Sequence, residues 1–251
     1  MCIRDRFKGP TQHSITLFYA MNIRHIFTLL AIVAIASCTH EVINAPTDPT
    51  SPIDVGGGGT TPNTSDTVCF NSEVLPLYVS YCGSNGCHSD ISREEDVVTT
   101  SYATIMQGIR AKNASRSEYY TIIGGEMPPA GSPQLSNDQK NIILKWINQG
   151  ALNTNCINSC DTTKFTFNDP IKTLLTNNCL GCHGTKPGSG NVYLGDYASA
   201  KAYIEANPTN FLKVINHDPT IAASKRMPPA GKMVDCQIGQ FSKWVNNGFP
   251  Q

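Results

Sequence analysis

The chain lacks any excess of charge: its nineteen Lys and Arg balance nineteen Asp and Glu. Lys and Arg form no long block, so the electrostatic footing that nucleic acid or an anionic membrane surface requires is missing, and nucleic acid is excluded as a partner. Long apolar runs are missing too. The run Ile26–Ser37 covers twelve residues, well short of the roughly 20 that a spanning helix needs. Strand-type alternation is weak throughout, which points away from an all-β fold. With 251 residues the chain has room for two cores of about 80 to 90 residues, each modest enough to need a staple.

Cysteine, by contrast, is abundant. Ten of them are many for a reducing cytosol and favour an oxidising compartment or cofactor attachment. The N-terminal region agrees. In "MNIRHIFTLLAIVAIASC", Arg24 and His25 form a short cationic stretch ahead of the apolar run. The segment 21–38 reads as an export signal whose end, "IASC", looks like a lipobox with Cys38 as the lipidated residue. One lipidated residue anchors a protein to a bacterial membrane, on its periplasmic side or at the cell surface, without spanning it. Residues 1–20 precede that signal, have no apolar period and open with "MCIRDR", which resembles adapter-derived sequence; they read as non-native, so Cys2 and His13 have no role. Residues 39–67 are rich in Pro, Thr, Gly and Asp and poor in large apolar side chains. Such a stretch buries too little surface to offset its ordering entropy and reads as a disordered tether.

Beyond the tether one unit is written twice, over 68–158 and 159–251. Cys87 and His88, "TTSYAT", "MPPAG" from Met127 and "NIILKWINQG" with Trp146 recur as Cys182 and His183, "LGDYAS", "MPPAG" from Met227 and "QFSKWVNNG" with Trp244. Each copy opens with an apolar pattern at helical spacing: Val74, Leu77, Tyr78 and Tyr81, then Ile171, Leu174 and Leu175, with Pro170 at a first helical position. Each copy closes with an amphipathic helix. Ser136 with Gln139 forms a capping box and Gly150 the stop; Asp235 is the candidate cap of the second and Gly248 its stop. The expected fold is mainly α: two tandem small helical domains with long loops between their first and last helices.

The second copy contains "CLGCH", a full C-x-x-C-H at Cys179, Cys182 and His183. Three residues apart on a helical turn, two thiols reach one edge of a macrocycle while the adjacent imidazole turns beneath its iron, which is the attachment pattern of c-type haem. A zinc knuckle would need a second close pair of ligands, and the first copy has no second His. The first copy reads "YCGSNGCH", with two extra residues between Cys82 and Cys87 ahead of His88. Gly83 and Gly86 would let those residues bulge out and keep both attachments; the alternative pairs Cys82 with Cys69. Met127 and Met227, stiffened by the prolines that follow, are the candidate distal ligands, with His217 as runner-up in the second copy. The plainer reading makes both methionines core fillers.

"CLGCHG" with "MPPAG" and a closing helix resembles cytochrome c. The duplicated, lipidated arrangement is similar to the cytochrome c domain lipoproteins of Bacteroidetes-type bacteria and to planctomycete-type cytochrome c domains. The resemblance covers 68–251 and implies two covalently bound c-type haems, attached at Cys82, Cys87, His88, Cys179, Cys182 and His183, with iron held by His88 and Met127 and by His183 and Met227. It implies electron transfer outside the cytoplasm between redox partner proteins, a carrier rather than a catalyst. A dihaem peroxidase-like or other oxidoreductase subunit, and a haem-free disulfide-rich binding lipoprotein, are the alternatives.

Four further cysteines fall symmetrically about the copies, which suggests disulfides Cys69–Cys156 and Cys160–Cys236 among the three pairings four cysteines allow. The acidic stretch "SDISREEDVV" reads either as a dock for a basic redox partner or as a solvated face.

Overall fold

The computed structural model describes residues 66–156 and 160–251. The expected signal, the expected lipidation site Cys38 and nearly all of the expected tether lie outside them. The described residues fall within one compact unit that is mainly helical, with no strand among them and only two isolated bridges, Ile123 to Met127 and Thr166 to Pro170.

The first repeat runs from a short π-helical turn, Phe70–Val74, into α1 (Leu75–Tyr81), then α2 (Tyr102–Ile105), α3 (Glu118–Thr121) and α4 (Asn137–Asn148). The second comprises α5 (Ile171–Asn178), α6 (Leu180–His183), α7 (Tyr197–Ala206), α8 (Pro208–Ile215) and α9 (Asp235–Asn246). The expected long loops are therefore partly helical. α7 starts at Asp196, whose side chain accepts from Ser199 N, and α8 starts at Asn207 with Pro208 in its first turn. Local capping of this kind sustains short helices that a sparse apolar pattern does not announce.

The last helices follow the sequence closely. Ser136 and Gln139 close a reciprocal capping box on α4, which satisfies two donors that a helix start otherwise leaves open. Gly150 and Gly248 both take left-handed backbone (φ +108° and +75°) just past α4 and α9, the conformation in which glycine carries no side-chain penalty. Two details differ. Val234, not Asp235, is the N-cap of α9, and Pro170 stands just before α5 rather than inside it; boundary shifts of one residue are ordinary at helix ends.

Each repeat has its own core, one around Phe70, Leu77, Ile143 and Trp146, the other around Phe167, Ile171, Phe241 and Trp244. Their geometry repeats in detail. Trp146 Nε1 donates to Leu152 O at 2.9 Å and Trp244 Nε1 to Pro250 O at 3.0 Å. Phe70 meets Tyr102 edge-on at 5.0 Å, as Phe167 meets Tyr197 at 5.0 Å, an arrangement that aromatic quadrupoles favour. Tyr102 and Tyr197 hydroxyls donate to Ala151 O and Phe249 O. Both Met–Pro peptides, 127–128 and 227–228, are cis. The tryptophans thus serve the cores.

Two disulfides join described residues to one another, Cys69–Cys156 and Cys160–Cys236, with α-carbons 5.8 and 5.9 Å apart. Each ties the entrance of its repeat to the region of its last helix, as the symmetry of the cysteines suggests. Among the described residues no helix is long and apolar enough to cross a membrane.

Candidate functional site

The second Cys–His motif sits where α5 gives way to α6. Cys179 N–H ends α5 on Leu175 O at 2.8 Å, and Cys179 O then accepts from Cys182 N at 3.1 Å and His183 N at 2.8 Å, winding the single turn of α6. Cys179 packs against the second core, and burial, with the neighbouring Cys182, pushes its thiol up to about 12. Burial also raises the Cys182 thiol. The His183 ring places Nδ1 3.2 Å from Val192 O. Burial holds its pKa below the ordinary value, against the opposing pull of the Val192 and Ser189 carbonyls.

The first motif forms a closed loop off the end of α1. Cys82 N–H donates to Tyr78 O at 2.9 Å, Cys87 N–H to Ser84 O at 3.0 Å, and His88 N–H returns to Cys82 O at 3.1 Å. Gly86 supplies the left-handed step (φ +88°) that lets the two additional residues bulge. The His88 ring is oriented like its counterpart, with Nδ1 3.1 Å from Glu94 O, and its carbonyl accepts from Thr99 N at 2.9 Å as that of His183 accepts from Leu194 N at 2.9 Å. A carbonyl partner on Nδ1 fixes a neutral imidazole in the tautomer whose Nε2 accepts.

Met127 and Met227 are half-buried at the start of their loops. Met127 N–H donates to Ile122 O at 3.1 Å, and Met227 N–H to Val214 O at 3.2 Å. His217, the runner-up ligand, has its Nε2 2.9 Å from Pro228 O in the second loop.

These surroundings overturn the expectation of two covalently bound c-type haems. Cys87 is disulfide-bonded, which takes from the first motif one of the two sulfurs needed for attachment. In the second motif Cys182 Sγ donates to Ser80 O at 3.5 Å. The face of α6 is already occupied. Gly181 N–H donates to Ser80 Oγ at 3.1 Å, and a Cβ added at Gly181 would stand 2.0 Å from Ser80 O. Among the described residues no three His, Cys, Asp or Glu side chains gather into a group able to hold a metal ion. A cavity of about 50 Å³ bounded by Leu75, Val79, Asn178, Pro228 and Gln237 lies beside the end of α5, room for a water molecule or two.

What the motif region does is join the repeats. α1 meets both α5 and α6; Tyr81 hydroxyl donates to Thr176 O at 3.1 Å, Gln139 Nε2 to Asn177 Oδ1 at 3.0 Å and Gln237 Nε2 to Ser72 O at 3.2 Å. The sequence marks Tyr81 as part of a helical stripe and Gln139 as part of a capping box, not as crossing residues, and does not mark Gln237. Their signal was available in part, since Gln139 and Gln237 hold equivalent places 98 positions apart. Among the described residues three thiols are free, Cys82, Cys179 and Cys182, and burial pushes that of Cys82 up to about 12.

No protein-family model, curated protein or solved structure matches this chain.

Proposed function

We propose that the chain is an exported, lipid-anchored binding module in which two copies of one disulfide-clasped helical unit are joined into a single body that holds a partner protein and turns over no substrate. The observation that carries this reading is the use made of the Cys–His motifs. α6 is spent on the seam between the repeats, through Gly181 and Cys182 against Ser80, and Cys87 is spent in a disulfide. Electron carriage or peroxidase-like turnover would need haems, and among the described residues no group of three or more His, Cys, Asp and Glu side chains gathers to hold a metal ion.

Export is supported by the disulfides, which persist in oxidising compartments, and by the signal-like segment ending at Cys38. The tether over 39–67 would let the folded body stand clear of the membrane. The repeats offer a partner two surfaces of opposite sign. Residues 66–156 contain nine acidic and six basic side chains; residues 160–251 contain six and nine. The difference falls on equivalent loops. Asp90, Glu94, Glu95 and Asp96 follow the first Cys–His pair, where Lys186 follows the second; Glu126 precedes the first "MPPAG", where Lys225 and Arg226 precede the second. Complementary charge of this kind governs encounter rate and partner choice more than raw affinity.

The test is intact-mass spectrometry with haem staining of the protein recovered from outside the cytoplasm of a host that matures c-type haems. The expected mass is that of polypeptide and lipid alone, without stain. A haem covalently held by Cys179 and Cys182 would overturn the proposal.

A further inference from the structure

Two free thiols of the second repeat, Cys179 and Cys182, share one helical turn. Cys179 O accepts from Cys182 N at 3.1 Å and from His183 N at 2.8 Å, which fixes that turn. Side chains three residues apart on a turn lie on one face with β-carbons about 5 to 6 Å apart. A thiolate–metal bond measures about 2.3 Å, so two such bonds set end to end fit between side chains so placed. The neighbouring Cys182 also raises the Cys179 thiol, as expected of two groups whose like charges would sit close.

The chemistry of the pair narrows the ion it would take. Among the described residues no third His, Cys, Asp or Glu joins the two cysteines, and His183 keeps its Nδ1 on Val192 O at 3.2 Å. Structural zinc and iron–sulfur centres want four ligands, and hard cations want oxygen. Soft Cu(I) favours thiolate sulfur and is content with two of them in a line. Both cysteines are half-buried, open enough for an ion to enter, while Cys179 packs against the second core, which shields one side of the pair from water.

We propose that Cys179 and Cys182 form a site for one Cu(I) ion, held as a two-coordinate dithiolate. Each thiol releases its proton to solvent and each sulfur gives a lone pair to the ion, so two S–H bonds are lost and two S–Cu bonds form. No electron changes hands and copper stays monovalent. The Cys182 S–H that donates to Ser80 O at 3.5 Å is exchanged for a metal bond; a thiol is a weak donor, so little is given up. The site uses sulfurs that only the haem-free reading above leaves available, and it rests on that reading.

The experiment is anaerobic titration of the exported protein with Cu(I) held by the chelator bicinchoninate, after the intact mass is recorded. One Cu(I) per chain is expected to leave the chelator, and copper is expected to slow the alkylation of Cys179 and Cys182 by iodoacetamide in the unaltered chain, a readout that needs no variant. Cys179→Ser and Cys182→Ser are each expected to weaken uptake at least tenfold, and Cys82→Ser to keep the full equivalent. A haem-free chain that draws no copper overturns the proposal, as does copper that protects Cys82 in place of the pair. A haem on the recorded mass overturns the haem-free reading first, and the proposal with it.

Discussion

Gln139 and Gln237 occupy the same place in the two repeats, each buried in the first turn of its closing helix, and each donates its side-chain amide across to the other repeat. Gln139 Nε2 reaches Asn177 Oδ1 and also the Tyr81 hydroxyl at 3.1 Å, while Gln237 Nε2 reaches Ser72 O. Removing a side-chain donor from a half-buried or buried acceptor costs up to about 1 to 3 kcal/mol. Gln139→Leu and Gln237→Leu are each expected to lower stability by about that amount in urea unfolding. A change within 0.3 kcal/mol for either would mean water replaces the lost donor.

The seam makes a sharper demand at Gly181. A methyl group there would meet Ser80 O at 2.0 Å and Ser80 C at 2.4 Å, both of them backbone atoms. Gly181→Ala is expected to destabilise by about 1 to 3 kcal/mol, the range for overpacking. Gly239 in α9 is the control, because its nearest neighbour to an added Cβ is 3.8 Å away. In that open helical position Gly239→Ala is expected to stabilise by about 0.5 to 1 kcal/mol. Thermal unfolding of both variants checks the pair, and opposite signs are the required result.

Much of each repeat was legible because its signals are local. A glycine after an amphipathic stripe and a tryptophan on that stripe specify α4 and α9 without knowledge of the rest of the fold, and a Ser and a Gln three apart add the start of α4. The symmetry of Cys69, Cys156, Cys160 and Cys236 likewise exposed their pairing. α7 and α8 escaped because their ends are marked by single polar residues, Asp196 and Asn207, that also occur in ordinary turns. The seam escaped for a different reason. A repeat pattern describes one unit against itself, whereas Gly181 against Ser80 is a contact between units, and C-x-x-C-H spacing says which groups lie on one turn but not what covers them. Cys87 shows the same limit, since the spacing to its neighbours does not state whether its sulfur is free.

The disulfides close loops of 87 and 76 residues. Loop-closure entropy gives each about 4 to 5 kcal/mol, with a difference between them below what unfolding experiments resolve. Replacing Cys69 and Cys156 together by Ala, or Cys160 and Cys236 together, is expected to lower the urea midpoint by similar amounts. A much larger loss for one pair would mean that its repeat cannot fold without the bond, and would rank the two cores.

Alkaline pH should act on the buried thiols. Burial raises Cys82 and Cys179 from 9.0 to about 12 in the folded protein, so between those values the unfolded chain has released protons that the folded chain still holds. Stability falls with rising pH wherever the unfolded state binds fewer protons. The contribution of each thiol is therefore whole below pH 9 and is lost as pH climbs toward 12. Tyr78, raised mainly by burial and further by Cys82, acts with the same sign above its ordinary 10.0. The urea midpoint is expected to hold level from pH 7 to 9 and then decline, and Cys82→Ala with Cys179→Ala should shallow that decline without abolishing it. A midpoint insensitive to pH from 9 to 11 would mean that both thiols meet solvent in the folded protein.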